Sequence, residues 1–427
     1  MTPTEHEQLS QTGPGTAMGA LLRRYWTAAL LSRELPEPDG APVRLRLLGE
    51  DLIAFRDTDG RVGLLAAHCS HRGAPLYFAN NAEGGLRCWF HGWKYDVDGM
   101  CIDMPNEAPQ NRFNDKVNHT AYPCVEKNGV VWTYMGPRDK MPQMPELEWL
   151  TVPSSHVYVS KCIRHCHWTQ GMEGDLDSVH VGFLHQEVFR KRALAQNHES
   201  AKWLINDLTP KEEIVPTPAG CLHATYRDVD PQSRYWKIGQ WFLPWFTTIP
   251  GFVGDGPLGG HAWVPIDDKR CWVFAFSWHP TRPLTDGELS GKSAVAAFHA
   301  ATIPGTPDTV CNMSNDYAGP DSPPARQPWM RVTDVQAQDM AMTEGMGFLF
   351  DRTREHLGKS DRLIVLTRRR LIEAAQALRD GAEPPGMNAK DYRQRPISIV
   401  LPANVESWTD AVRDAIDTRP ETFRASV

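Results

Sequence analysis

Short runs with β character follow one another from Pro42 to about Met135: VRLRLLGEDLIAFRD, RVGLLAA, LRCWFHGWKYDVDG and GVVWTYMG. Asp59-Gly60 and Asp98-Gly99 punctuate them as tight hairpin turns. The pattern predicts a small all-β domain of roughly 100 residues. Ahead of it, a polar arm leads into GTAMGALLRRYWTAALLSREL, which reads as a short helix and a connector. Behind it, PRDKMPQMPELEWL is a proline-punctuated linker. Next, His165 to His185 reads as helical, and CLHATYRDV, RYWKIGQWFLPWF, GGHAWVPI and KRCWVFAFSWHP read as strands. Helical periodicity returns in SAVAAFHAATI and VTDVQAQDMAMTEGM, and LIVLTRRRLIEAAQALRDG is an amphipathic helix. The expectation is an α+β protein, an all-β domain followed by a mainly antiparallel sheet with helices on it. The expected divisions are 1–26 for the arm and helix, 27–138 for the β domain and 139–427 for the second domain.

With 41% hydrophobic and 23% charged residues, the 427-residue chain has the composition of a soluble globular protein, not a disordered one. Its 45 basic against 52 acidic residues leave a net charge of −7, which gives no support to nucleic-acid binding. No apolar stretch approaches the roughly 20 residues of a membrane helix. MTPTEHEQLSQTGPG lacks the basic and apolar regions of a secretory signal, so a cytoplasmic location is expected. The 9 cysteines should then stay reduced unless they bind metal.

Two constellations carry chemistry. The first is Cys69-Ser-His71, then 16 residues, then Cys88-Trp-Phe-His91. Each loop offers one thiolate and one imidazole. Two thiolates can hold one iron of a [2Fe–2S] cluster while two imidazoles hold the other, which raises the potential above that of all-cysteine ferredoxins. The competing reading is a Cys₂His₂ zinc site, but zinc usually draws on compact knuckles rather than two mixed pairs. Gly73, Pro75, Gly92 and Gly99 let the backbone approach the sulfurs closely, which favours the cluster.

The second constellation is Asp177-x-x-His180-x₄-His185. On a helix Asp177 and His180 share a face. His180 and His185, five apart, do not, so their convergence needs a break or a π-bulge, which Gly182 makes cheap. Two histidines and a carboxylate form the facial triad of non-haem Fe(II) oxygenases.

CSHRGAPL and CWFHGWKYDVDG resemble the Rieske domain of aromatic ring-hydroxylating oxygenases, and the D-x-x-H-x₄-H segment is similar to that family's mononuclear-iron motif. With the opening QTGPGTAMG…LLRRYW, the closest resemblance is to phthalate dioxygenase-like oxygenase (alpha) subunits. The resemblance implies a Rieske domain followed by a helix-grip, START-like catalytic domain. It implies a cluster on Cys69, His71, Cys88 and His91 and iron on His180, His185 and a distant helical carboxylate. Asp339 is the best match for that carboxylate, with Asp334, Glu344 and Asp351 as alternatives. Asp177 would link His180 to His91 of a neighbouring subunit, which makes a homo-oligomer, a trimer or stacked trimers, part of the mechanism. The chain shows neither G-x-G-x-x-G nor the C-x₄-C-x₂-C ferredoxin spacing, so a separate flavin and iron–sulfur reductase would bring electrons from NADH.

Other residues take plainer readings. Cys162, Cys166, His165 and His167 fit no compact metal site and read as packing. Cys101, Cys124, Cys221, Cys271 and Cys311 read as small buried hydrophobes and His68 as a loop residue. Arg368-Arg369-Arg370 reads as a solvated helix face. An aromatic acid in an apolar pocket needs a cation, and RYWKIGQWFLPWF resembles the family's pocket strand. It supplies Lys237 where relatives that bind dicarboxylates tend to have arginine, and Trp241, Phe242, Trp245 and Phe246 as aromatic surface. Lysine is a point charge rather than a fork, which leaves room for a monocarboxylate. The expected activity is O₂-dependent oxygenation of an aromatic carboxylic acid by ring hydroxylation or dihydroxylation. The alternatives are oxidative O-demethylation or aryl-ether cleavage of a methoxy- or phenoxybenzoate, and a Rieske electron carrier without oxygenase chemistry.

Overall fold

The computed structural model describes residues 1–108, 110, 112–196, 199–289, 300–320, 322–324 and 326–418. The polar N-terminal arm begins with α1 (Pro3–Ser10). Thr2 and Glu5 form a capping box there and Pro3 fills the first turn, where no N–H is needed. Next come α2 (Ala17–Leu22) and β1 (Thr27–Leu31), so the predicted connector contains a strand.

The β domain follows. β2 (Val43–Leu47), β3 (Glu50–Arg56) and β4 (Val62–Ala66) form a meander, and the β3–β4 turn is the Asp59-Gly60 hairpin. β5 (Asn80–Ala82), β6 (Gly85–Arg87), β7 (Lys94–Tyr95) and β8 (Cys101–Asp103) form a second small sheet, with Asp98-Gly99 in its last turn. Gly60 and Gly99 both take positive φ, which is why glycine closes each turn. β9 (Ala121–Tyr122) joins β4, and β11 (Val130–Thr133) pairs with β10 (Cys124–Lys127) on one side and β1 on the other.

After the short α3 (Glu148–Thr151), β12 (Val157–Arg164) enters the large sheet. The helix predicted over His165 to His185 is two pieces, α4 (Trp168–Leu176) and α5 (His180–Leu184), and α6 (Gln186–Gln196) follows directly. α7 (Glu199–Asn206) precedes β13 (Lys211–Thr217), β14 (Gly220–Asp230), β15 (Ser233–Phe242), β16 (Phe246–Ile249), β17 (Leu258–Pro265) and β18 (Cys271–Trp278). The predicted helix in SAVAAFHAATI falls largely outside the described residues, and its end, Ala300–Ile303, is not helical. α8 (Asp286–Leu289), α9 (Val335–Gly345), α10 (Arg362–Arg379) and β19 (Ile397–Pro402) complete the elements that matter here.

The large sheet is antiparallel in the order β12-β18-β17-β16-β15-β14-β13, and β19 adds to the exposed flank of β15. β17 and β18 are buried on both faces, which explains their nearly unbroken apolar runs. α10 buries Leu363, Ile364, Thr367, Leu371, Ile372 and Ala375, the stripe its periodicity predicts. Each fully buried Leu or Ile of that stripe contributes about 1.5–3 kcal/mol. α2 packs on α10. Trp132, Trp149, Phe246 and Phe276 stack into one core that joins the β domain to the large sheet. No helix among the described residues is long and apolar enough to cross a membrane.

Candidate metal centres

The Cys69 and Cys88 loops are built alike. Cys69 N–H donates to Ala74 O, and Gly73 N–H donates back to Cys69 O. Cys88 N–H donates to Trp93 O, and Gly92 N–H donates back to Cys88 O. Gly73 (φ 73°) and Gly92 (φ 81°) occupy the left-handed region that closes each loop. Both sulfurs are buried, while His71 and His91 stand half-exposed at the rim with ring centroids 4.4 Å apart. Trp93 stacks on His71 at 4.4 Å.

One observation marks a ligand site, and a second fits a two-iron cluster better than zinc. His71 Nδ1 is buried and lacks a hydrogen-bond partner, the state of a nitrogen kept for a ligand. The four donors also do not gather around one point: the only described group of three or more donors within 4.8 Å of one another lies elsewhere. Tyr95, which the sequence did not single out, places its hydroxyl 3.1 Å from Cys69 Sγ, where it can donate to a thiolate.

The compact donor group is His180, His185 and Asp339. The chain leaves α4 at Asp177, whose backbone is extended (φ −85°, ψ 115°). Asp177 Oδ1 accepts the N–H groups of Val179 (2.7 Å) and His180 (3.3 Å), which turns the chain into α5. Asp177 and His180 are therefore neighbours across a break, not residues on one helix face. Gly182 is not the break either. It lies inside α5, where a Cβ would come within 2.6 Å of Leu208 Cδ2. A second break at His185 sets the two imidazoles edge to face at 5.1 Å.

Asp339 comes from α9, with its Oδ1 3.0 Å from His185 Nε2 and 3.7 Å from His180 Nε2. Gln338, also unforeseen, accepts at Oε1 from His185 Nδ1 (2.8 Å) and donates through Nε2 to Val332 O (2.8 Å). That pair sets the tautomer: His185 carries its proton on Nδ1 and turns Nε2 toward Asp339. Two imidazoles and a carboxylate with space beside them are the donor set of a non-haem Fe(II) site.

The alternative carboxylates have other partners. Asp334 caps α9, Glu344 accepts from His165 N–H and Tyr317 Oη, and Asp351 accepts from Thr353.

Asp177 Oδ2 lies 3.7 Å from His180 Nδ1, too long for a hydrogen bond, and that nitrogen is buried without a partner. Burial pushes the Asp177 carboxyl up, but His180 and the two amides outweigh it and hold it below the usual range. Burial pushes His180 down, while Asp177 and Asp339 together raise it above the ordinary imidazole value.

A cavity of about 190 Å³ opens beside the triad, lined by His180, His185 and Asp339, by Asp175 and Phe189, and by Lys237. Burial, with Arg227 nearby, lowers Lys237 to about 8. Asp175 Oδ2 accepts from Thr247, His261 and Trp263, which fixes it against the sheet. Trp241 and Trp245 are absent from the lining. Both are fully buried in the core that joins the two domains, as are Phe242 and Phe246. His167 caps α4, and Cys162 and Cys166 are packed inside. Arg368 departs from the predicted solvated face: it is buried and grips Glu173 and Glu355.

Residues 25–120 match the Rieske [2Fe-2S] domain family, and residues 133–412 match the family "LigXa C-terminal domain like". The chain is 34% identical over 432 residues to the 3-chlorobenzoate-3,4-dioxygenase oxygenase subunit of Comamonas testosteroni, covering 97% of this chain and 98% of that one. It is 32% identical over 440 residues to the phthalate 4,5-dioxygenase oxygenase subunit of Pseudomonas putida, covering 98% and 94%. The terminal oxygenase of carbazole 1,9a-dioxygenase from Novosphingobium sp. KA1 shares the fold, with a TM-score of 0.58 and 18% identity over 88% of this chain and 99% of that one.

Proposed function

Because the chain belongs to the Rieske non-haem iron oxygenases, whose terminal subunits hydroxylate or demethylate aromatic compounds, we propose that it oxygenates an aromatic carboxylic acid. The observation that carries this reading is one cavity holding His180, His185 and Asp339 together with the cation Lys237. Cys69, His71, Cys88 and His91 would hold the [2Fe–2S] cluster, and His180, His185 and Asp339 the mononuclear iron. When bound, the cluster supplies single electrons and the Fe(II) supplies open positions for O₂.

The chain's own residues do the rest. Lys237 pairs with the substrate carboxylate and orients the ring. Phe189 and Leu176 help keep the cavity dry. Asp177 positions His180 through its backbone N–H and accepts from His91 of a neighbouring copy.

The surface suits that contact. Trp89 and Phe90, 69% and 56% exposed, flank His91, and Phe183 and Met346, 64% and 52% exposed, lie outside Asp177. Apolar surface of this kind beside two such groups supports the reading of an interface between protomers, in a trimer or stacked trimers. Electrons reach the protein from NADH through a separate flavin and iron–sulfur reductase, and the protein works in the cytoplasm.

A second reading rests on Lys237 being a point charge. It suits a monocarboxylate such as a methoxy- or phenoxybenzoate, attacked by O-demethylation or ether cleavage. A Rieske carrier without oxygenase chemistry would leave the His180–His185–Asp339 convergence unexplained. The test is a panel of aromatic acids and aryl ethers with a surrogate reductase, following NADH oxidation, ring-hydroxylated product and formaldehyde. Product from no aromatic acid in the panel, with the protein fully loaded with iron, would overturn the proposal.

A further inference from the structure

The cavity beside the triad has a second cationic wall, on the opposite flank of the sheet from Lys237. Arg164 is the last residue of β12, and four strand spacings separate β12 from β15 in the order β12-β18-β17-β16-β15. It is 2% exposed and lines the same cavity as His180, His185 and Asp339. Its Nε and Nη1 are both buried with no hydrogen-bond partner among the described residues. Nη2 only reaches Gln336 Oε1 at 3.5 Å. The guanidinium carbon lies 5.9 Å from the centroid of the Trp263 ring.

The other deeply buried arginines of this chain have firmer partners. Arg352, although its Nε and Nη1 are also unpaired, reaches Glu173 and Thr169 through Nη2, Arg368 grips Glu173 and Glu355, and Arg227, which lines the same cavity on the Lys237 side, donates Nε to Asp207 O at 3.0 Å. Arg164 has no ion-pair partner among the described residues. The two carboxylates whose charge it feels, Glu344 and Asp339, face His165 and Tyr317 in one case and the imidazoles in the other. A buried guanidinium with unmade hydrogen bonds, aimed into a cavity, is a group waiting for an acceptor.

We infer that Arg164 is a substrate-recognition residue that donates its free N–H groups to an anionic group of the substrate, on the side of the cavity away from Lys237. This rests on the cavity being the pocket for an aromatic acid. It narrows the substrate class to a ring bearing two separated acceptor groups, at least one of them a carboxylate.

The probe is benzene-1,3-dicarboxylate with its monomethyl and dimethyl esters, titrated calorimetrically into the holoenzyme without turnover. The wild type should bind the diacid more tightly than the half-ester, and the half-ester more tightly than the diester. Arg164→Gln should weaken the diacid about 10- to 100-fold, leave the diester within about threefold, and erase the diacid's advantage over the half-ester. Arg164→Lys, which keeps the charge and the fold but not the guanidinium, should fall between, so the comparison survives if the Gln variant does not fold. A diacid advantage undiminished in both variants overturns the inference. If Lys237→Met still erodes acid binding in that case, the aromatic-acid reading stands without Arg164. A wild type that binds the diester as tightly as the diacid overturns both.

Discussion

Replacing Gln338 should empty the mononuclear site without touching the cluster. The Gln338 amide is pinned at both ends, with Nε2 donating to Val332 O and Oε1 accepting from His185 Nδ1, each at 2.8 Å. His185 is 2% and Gln338 4% exposed, so no water takes over if the amide is removed. Gln338→Met keeps the length and loses the acceptor. It leaves a buried imidazole N–H unpaired, at a cost of about 1–3 kcal/mol, and lets the ring adopt the other tautomer. Loss of a partner behind a metal ligand typically weakens metal binding about 10- to 100-fold, which agrees with that cost. Gln338→Glu keeps an acceptor oxygen and should retain the iron. The assay is chelator competition for the non-cluster iron, with the cluster's visible spectrum as an internal standard. Equal iron loss in the Met and Glu variants, or loss that tracks bleaching of the cluster, would show that packing rather than the hydrogen bond is at work.

Asp339→Ala should reduce iron from about three per chain to about two, with the cluster spectrum intact; three irons retained would identify another carboxylate as the ligand. Asp177→Asn should keep both metals yet block turnover, since the amide cannot match a carboxylate held below its usual range; turnover near wild type would contradict the bridging role. Lys237→Met should raise the KM of an aromatic acid roughly tenfold or more while sparing its neutral ester, and equal effects on both would exclude charge pairing. Lys237 is lowered to about 8, so its charge is present below that pH and lost above it. The acid's KM in the wild type should therefore climb as pH rises through about 8 and the ester's should not; parallel profiles would place the titration elsewhere.

The two candidate metal motifs were legible because most of their donor residues sit close together in sequence and their spacing encodes local geometry. Cys69 and His71, or Cys88 and His91, need only one glycine-closed loop each to face the same way. What the sequence hid was of two kinds. The first was backbone shape: the break ahead of His180 is set by Asp177 capping the next helix, a use of the carboxylate indistinguishable in sequence from a helix-face position, and a second break follows at His185. The second was the direction of side chains on strands covered on both faces. Along β15, alternation would normally separate pocket from core, but Trp236, Gln240, Trp241 and Phe242 are all buried. Periodicity then carries no information about which of them meets a ligand, and the aromatic pair Trp241 and Trp245 went to the core while Lys237 went to the cavity. Gln338 and Arg164 are instances of the same problem. Their importance lies in partners 153 residues away in one case and in missing partners in the other, and neither leaves a local mark. In this fold the clustered candidate ligands are written in local sequence, whereas the groups packed behind and beside them are set by tertiary packing.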